Sequence, residues 1–332
     1  MTISASDIRK IKQYIEVANV TVDPLASTLI TPLFVGTQSL KMAQELVDEG
    51  KAVYFDSGGY YVQVGRLKYE ELYIPLLENY RRNQWATLYT LPDQVPTSQD
   101  SPETVAFKVS NTIAHSTMFF HEMPDVLKPR AMPVVQGHNY EQIDQCLQAY
   151  INLGVHWIGF GSFGTSGAKS EVNIATQSSI ELARYVINIA HDHGIKVHLF
   201  GLGTPALIAM IYGIGADSFD STTWLKSAGF GQIFMPFTRS YNITYRNTVS
   251  TYQKGIPMTE FEELKQFTQH SCGLCNDLSG LQKIKMYRAV HNLVVMAESI
   301  QMINTGDLEQ IQRIYENGSI KYRGEFEKWL SN

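Results

Sequence analysis

Two acids stand where chemistry could be done. In Val53-Tyr54-Phe55-Asp56-Ser57-Gly58-Gly59-Tyr60-Tyr61, three apolar residues read as a buried strand, and a carboxylate, a hydroxyl and two glycines follow at once. A strand ending in Asp-Ser-Gly-Gly delivers Asp56 to a sheet rim and lets backbone near Gly59 approach a flat ligand closely. Tyr60 stands beside that gap with a ring face to stack on. Taken by itself, the stretch reads equally as a strand, a glycine turn and a solvated Asp. Gln136-Gly137, Gly161-Ser162, Gly201-Leu202-Gly203 and Asp220 also follow directly on apolar runs. Two carboxylates, an amide and several glycines at strand ends suit a planar ligand that hydrogen-bonds along its edge.

A second cluster is built for metal. His270-Ser271-Cys272-Gly273-Leu274-Cys275 is followed by a helical run containing His291. Two thiolates in a C-x-x-C turn with two histidines make a tetrahedral zinc site, and Gly273 allows the tight turn that aims both sulfurs at one ion. Four protein ligands leave no open position, so the expected role of His270, Cys272, Cys275 and His291 is structural. The alternatives are free thiols or a redox pair. A redox C-x-x-C normally opens a helix after a strand, and no such strand is read here. Cys146 falls on the apolar side of a helix and reads as core.

Strand-like runs at Ile30–Val35, Ala52–Phe55, Trp85–Thr90, Met132–Val135, Trp157–Gly161, Lys196–Gly201 and Ser218–Ser221 must position these residues. Helical patterns such as Leu40–Glu49, Glu141–Leu153 and Ser179–His193 lie between them, the last stopped by Gly194. Repeated β-then-α units imply a parallel α/β sheet, either open and doubly wound or closed into a barrel. An eighth strand is not obvious, Ile243–Arg246 being the nearest candidate, and Thr97–Glu103 reads as a loop.

The 332 residues suit one barrel with an insertion, and 44% apolar with 18% charged residues describe a folded, soluble chain. A net charge of -5 argues against coating nucleic acid by bulk charge, though not against a local basic groove. Three cysteines are too few for a disulfide framework. The stretch from Ser6 to Val17 is too polar for a secretory signal, and Leu202 to Ala216 is too broken and short for a membrane span. A cytoplasmic protein is expected.

Several of these motifs, in order, resemble the tRNA-guanine transglycosylase family. Thr31-Pro32-Leu33-Phe34-Val35-Gly36-Thr37-Gln38 is similar to its opening strand, and Asp56-Ser57-Gly58-Gly59-Tyr60 to its D-S-G-G-F/Y motif. Ser101-Pro102-Glu103, Val134-Val135-Gln136-Gly137 and the Gly159–Gly164 turn are similar to later segments. Phe200-Gly201-Leu202-Gly203-Thr204-Pro205, then Gly215-Ala216-Asp217-Ser218-Phe219-Asp220, resembles its G-V-G-T-P and D-x-F-D run. The His270, Cys272, Cys275, His291 set resembles its zinc site, with His in place of the usual first Cys. The resemblance implies a single TIM (β/α)8 barrel over 1–332 with a zinc-binding subdomain inserted at 240–300. It also implies base exchange, with Asp220 as the nucleophile at C1′ and Asp56 as general acid and base. Tyr60 and Phe200 sandwich the base in that reading. Ser57, Gln136 and the backbone at Gly59, Gly161 and Gly201 approach or read it.

The chain departs from the family in four further places. Where the family has an acid on the guanine edge, the register gives His121, with Glu122 or Asp93 as substitutes. After the glycine turn, Thr165 and Ser166 replace the Glu that pairs an aminomethyl base, so a neutral substituent such as the nitrile of preQ0 is expected. After Asp220, Ser221-Thr222-Thr223-Trp224-Leu225-Lys226 replaces an arginine-bearing P-T-R stretch, and the segment from Cys275 to His291 is short. Those losses point to the DNA-acting branch, the DpdA-type DNA-guanine transglycosylases of phage and bacterial islands, and thus to the host cytoplasm for a phage-encoded chain. DNA is then the partner, with tRNA as the alternative and a catalytically inactive binding subunit as a further one. Lys283, Lys285 and Arg288 could touch phosphate or form a solvated helix face. An acidic chain gains little from charge, which leaves room for a homodimer or an accessory DNA-opening protein.

Overall fold

The computed structural model describes residues 5–166, 172–244, 246–247, 252–253 and 255–318. Short apolar runs alternate with amphipathic helices along most of this length. In chain order the elements are α1 (Ala5–Ala18), β1 (Ser27–Ile30), α2 (Thr37–Asp48), β2 (Ala52–Phe55), α3 (Gly59–Gln63), α4 (Tyr73–Arg82), β3 (Leu88–Thr90) and α5 (Pro102–Glu122). Next come β4 (Ala131–Met132), β5 (Val134–Val135), α6 (Tyr140–Leu153), β6 (Trp157–Phe160), the hairpin β7 (Gly164–Ser166) and β8 (Val172–Ile174), and α7 (Gln177–Asp192). Then follow β9 (Lys196–Leu199), α8 (Pro205–Gly213), β10 (Ser218–Phe219) and α9 (Thr223–Gly229). The chain goes on through β11 (Gln232–Ile233), β12 (Tyr241–Asn242), β13 (Arg246–Asn247) and β14 (Tyr252–Gln253). It ends in α10 (Met258–Thr268), α11 (Leu278–Lys283), α12 (Lys285–Asn304) and α13 (Leu308–Gly318).

The helices start and stop for local reasons. Asn139 caps α6 by accepting from Gln142 N at 3.0 Å, and Gly154, at φ 69°, ends it. Its buried residues Ile143, Cys146, Leu147 and Tyr150 recur at helical spacing and cover the sheet. Ser101 caps α5 in the same way, so the loop expected at Thr97–Glu103 stops before Pro102.

Strand pairing is parallel in two four-stranded sheets, β1-β2-β3-β4 and β10-β9-β6-β5. Pro133 divides β4 from β5. It has no N–H to give to a ladder, yet its carbonyl accepts from Gly159 N at 2.9 Å, so one extended segment serves both sheets. The parallel α/β architecture is thus present, with strand ends sharing one rim. Closure into an eight-stranded barrel is not seen among the described residues, where no pairing joins β10 to β1. Two strand expectations are corrected. β1 stops at Ile30, and Pro32–Phe34 forms a 3-10 turn because Pro32 cannot donate to a ladder. Ile243–Arg246 supplies no eighth parallel strand. Ile243 and Thr244 follow the antiparallel β11–β12 hairpin, Tyr245 lies outside the described residues, and Arg246 opens the antiparallel β13–β14 pair.

Two groups of buried apolar residues hold these elements. One joins the strands to α2 and α4–α8 through residues such as Phe55, Tyr89, Phe160 and Leu199. The other joins α1, α9 and α12 through Ile11, Trp224, Phe234, Leu281 and Val294, and contains Cys272 and Cys275. Residues 1–4 and 319–332 of the expected 1–332 domain lie outside the described residues, as do 245, 248–251 and 254 of the expected 240–300 insertion. Among the described residues no helix is long and apolar enough to cross a membrane.

Candidate active site and metal centre

Strand ends deliver the acids to one cavity of about 840 Å³, lined by Asp56, Asp93 and Asp220 together with Gln136, Tyr60 and Phe200. Asp56 follows β2 directly and is held by backbone and side chain. Its N–H donates to Ile30 O at 2.8 Å, and its Oδ2 accepts from Thr31 Oγ1 at 2.8 Å. Burial pushes its carboxyl up to about 6, the charges of Asp93 and Asp220 adding to the rise and the Thr31 bond opposing it. The chain then turns at Gly58, whose φ of 95° suits only glycine without strain.

Asp93 lies three residues past β3 and is buried. Burial raises its carboxyl above the ordinary range. Ser57 Oγ donates to its Oδ1 and Gln136 Nε2 to its Oδ2, each at 2.8 Å. The chain of donors continues on both sides. Gly59 N donates to Ser57 Oγ at 3.2 Å, while Gly137 N donates to Ser162 Oγ at 2.7 Å and Ser162 Oγ to Gln136 Oε1 at 2.6 Å. With Asp93 ionised, every donor direction in this network is fixed and the Gln136 amide has one orientation. A Cβ on Gly59 would stand 2.7 Å from Asp93 Oδ1, and one on Gly161 2.6 Å from Gln136 Nε2. Both glycines therefore let backbone close over these polar groups.

Asp220 stands opposite, at the end of β10. Its Oδ1 accepts from Gly201 N at 2.7 Å and faces His198 Nε2 at 3.4 Å. Phe200 crosses the face of β6, where a Cβ on Gly159 would meet its ring at 2.2 Å. Tyr60 is 39% exposed at the cavity mouth, which leaves its ring free to stack on a ligand. In the stretch after Asp220, the Ser221 and Thr223 hydroxyls donate to Gly203 O, Trp224 is buried, and Lys226 lines the cavity.

The metal cluster lies in the second core. The ligand atoms of His270, Cys272, Cys275 and His291 all fall within 4.8 Å of one another, and all four residues are buried. The sulfurs are 3.6 Å apart, close to the separation of about 3.8 Å implied by Zn–S bonds of about 2.3 Å in a tetrahedral shell. Cys275 Sγ stands 3.3 Å from His291 Nε2. A hydrogen bond between the two free thiols favours the thiolate of Cys272 and pushes the thiol of Cys275 up, and a bound cation would favour the thiolate at both. His270 Nδ1 meets Glu298 Oε2 at 2.5 Å, which leaves Nε2, buried and otherwise unpaired, to face a metal. A carboxylate behind a ligand histidine is what a zinc site uses to fix the ring. The residues could hold zinc with a closed, structural shell.

Of the residues singled out in the sequence, Asp56, Gly59, Tyr60, Asp93, Gln136, Gly161, Phe200, Gly201 and Asp220 line the cavity, and Ser57 is buried behind Asp93. His121 is corrected. It sits exposed in the last turn of α5, against the Phe120 ring, and does not line the cavity. A helix after a parallel strand runs back along it, so its end lies away from the rim where strands finish. Glu122 is exposed beside it for the same reason, so of these three candidates for the guanine edge Asp93 alone lines the cavity. Arg288 is also corrected as a phosphate contact. It is buried, and donates to Ala228 O, Leu281 O and Gln282 O. Lys283 and Lys285 are exposed. His198 and Glu298 were not read from the sequence, because only strand register and helix facing bring them to Asp220 and His270.

Residues 80–310, more than two thirds of the chain, match the family model described as queuine tRNA-ribosyltransferase. No curated protein matches the chain.

Proposed function

The chain belongs to the queuine tRNA-ribosyltransferase family, and from that premise we propose that it is a guanine transglycosylase that exchanges guanine in DNA for a 7-deazaguanine base. The observation that carries the reading is the convergence of Asp56, Asp93 and Asp220 on one cavity with Gln136, Tyr60 and Phe200. Asp220 attacks C1′ of the target nucleotide, the C1′–N9 bond breaks, and its electron pair leaves with guanine, which takes a proton from Asp56. The incoming base gives its N–H proton back to Asp56 as it attacks C1′ and displaces the Asp220 oxygen. A carboxyl poised at about 6 serves both directions near neutrality. Asp93, held by Ser57 and Gln136, reads the purine edge, and Tyr60 and Phe200 take its faces. Zinc held by His270, Cys272, Cys275 and His291 fixes the C-terminal elements and takes no part in the reaction.

DNA is preferred over tRNA on two observations. The segment after Asp220 carries hydroxyls tied to Gly203 where the tRNA enzymes resembled above carry an arginine, and Cys275 and His291 are linked by the short α11 and the first turns of α12. The name of the matching family favours tRNA and defines the second reading. With Thr165, hydrogen-bonded to Ser98, and Ser166 standing where the family resembled above has its Glu, the incoming base is neutral at its 7-substituent, as in preQ0. A homodimer or a DNA-opening partner would help expose the target, since a base must leave its stack to reach such a cavity.

Labelled guanine incubated with the protein and either duplex DNA or tRNA tests this. Label entering DNA alone supports the proposal. Label entering tRNA alone establishes the second reading, and entry into neither leaves a binding subunit. Faster exchange of preQ1 than of preQ0 would overturn the neutral-substituent reading.

A further inference from the structure

His198 belongs to no motif discussed above, yet it is fully buried beneath the cavity and lines it. Strand register sets it beside Ser218 on β10 and Gly159 on β6. The Tyr54 and Phe200 rings meet it edge-on, at 5.7 and 4.6 Å. Its Nδ1 lies 2.8 Å from Ser218 Oγ and its Nε2 3.4 Å from Asp220 Oδ1. A carboxylate can only accept, so Nε2 must carry a proton to bond it. In the neutral ring Nδ1 then accepts from the Ser218 hydroxyl. One tautomer satisfies both contacts.

Two donors therefore converge on Oδ1 of Asp220, His198 Nε2–H and Gly201 N–H. No hydrogen bond reaches Oδ2 among the described residues. We propose that His198 is a positioning residue for Asp220: held as the Nε2–H tautomer by Ser218, it pins Oδ1 and leaves Oδ2 as the atom that bonds C1′. The inference rests on the transglycosylase reading. When the Asp220 ester forms, Oδ2 supplies the electron pair to C1′ and the C1′–N9 pair departs with the base. When the ester breaks, the C1′–O pair returns to Oδ2, and the restored carboxylate charge is spread to Oδ1, where both donors already stand. They need no rearrangement, which is how preset donors lower such a barrier.

His198→Phe keeps a ring of similar shape and removes the donor, whereas His198→Gln places an amide N–H near the position of Nε2. For His198→Phe the expected loss in kcat is about 10- to 100-fold, the size of one hydrogen bond to a charged group, with KM for the nucleic acid changed less than about twofold. His198→Gln should recover most of the rate. A His198→Phe enzyme within about threefold of wild type, or a Gln variant no better than Phe, overturns the proposal. A second readout needs no turnover. The 15N imidazole spectrum of the unaltered protein, assigned by subtracting that of His198→Gln, should show the proton on Nε2, and a proton on Nδ1 alone overturns the assignment. If the unaltered protein exchanges guanine into neither DNA nor tRNA, the activity reading fails, and the spectrum still decides the hydrogen-bond line.

Discussion

Asp56 sits among groups that oppose its ionisation, and this gives a sign to test. Its carboxyl is raised by burial from 3.8 to about 6. The folded chain therefore holds a proton that the unfolded chain releases between those values. The stability tied to this proton is complete below about pH 4 and is lost as pH rises through about 6. Asp56→Asn should melt at a higher temperature than the parent above pH 6, by up to about 3 kcal/mol of stability, and the gap should close towards pH 4. Melting curves across that range check it, and a gap independent of pH would show that Asp56 is not buried as described. Gly161→Ala tests the edge-reading network differently. Its Cβ would push into the Gln136 amide, so KM for the base should rise about tenfold or more while the melting temperature moves little. Asp56, Gln136 and Asp220 were legible because a polar residue after a short apolar run marks a strand's rim end. His121 falls outside the cavity because a helix reverses the chain's direction, which motif register does not show, and Asp93, the alternative, lies inside. His198 was hidden inside an apolar strand, where only its neighbours' identities reveal a role.

At the scale of elements, Arg288 clamps two helix ends. It reaches Ala228 O, which also accepts from Gly231 N, and the Leu281 and Gln282 carbonyls at the end of the short α11. Arg288→Met should cost about 2–4 kcal/mol in denaturant unfolding, since it orphans buried carbonyls. Lys283→Met and Lys285→Met, both at exposed positions, should leave the unfolding midpoint unchanged and flatten the salt dependence of nucleic-acid binding. An Arg288→Met protein as stable as the parent would return that arginine to the surface. The alternation of strands and helices was readable from periodicity because helix and strand repeats differ. Strand ends were not. Pro32 and Pro133 look apolar in a pattern but deny the ladder an N–H, so β1 ends early and β4 and β5 divide. Closure of the sheet depends on pairings far apart in sequence, and no local pattern encodes it.

Across the whole molecule, the metal cluster ties the reaction site's far wall together. The C-x-x-C turn packs so closely on the end of α1 that a Cβ on Gly273 would meet Val17 O at 2.1 Å. His291 belongs to α12, whose Met296 and Ile300 line the same cavity as Asp220, beside Ile8 and Ile11 of α1. Metal bound there joins α1 to α12, and both helices face the ligand space. Chelation should therefore lower the melting temperature and abolish exchange together, and zinc should restore both, with one ion per chain by elemental analysis. Glu298→Gln separates the ion's hold from the chemistry. Losing the carboxylate behind His270 should weaken zinc affinity about 10- to 100-fold, while activity at saturating zinc stays at the parent level. Full activity after complete removal of zinc would mean that the wall stands without the ion. The histidines and cysteines would then be buried side chains that meet for packing alone.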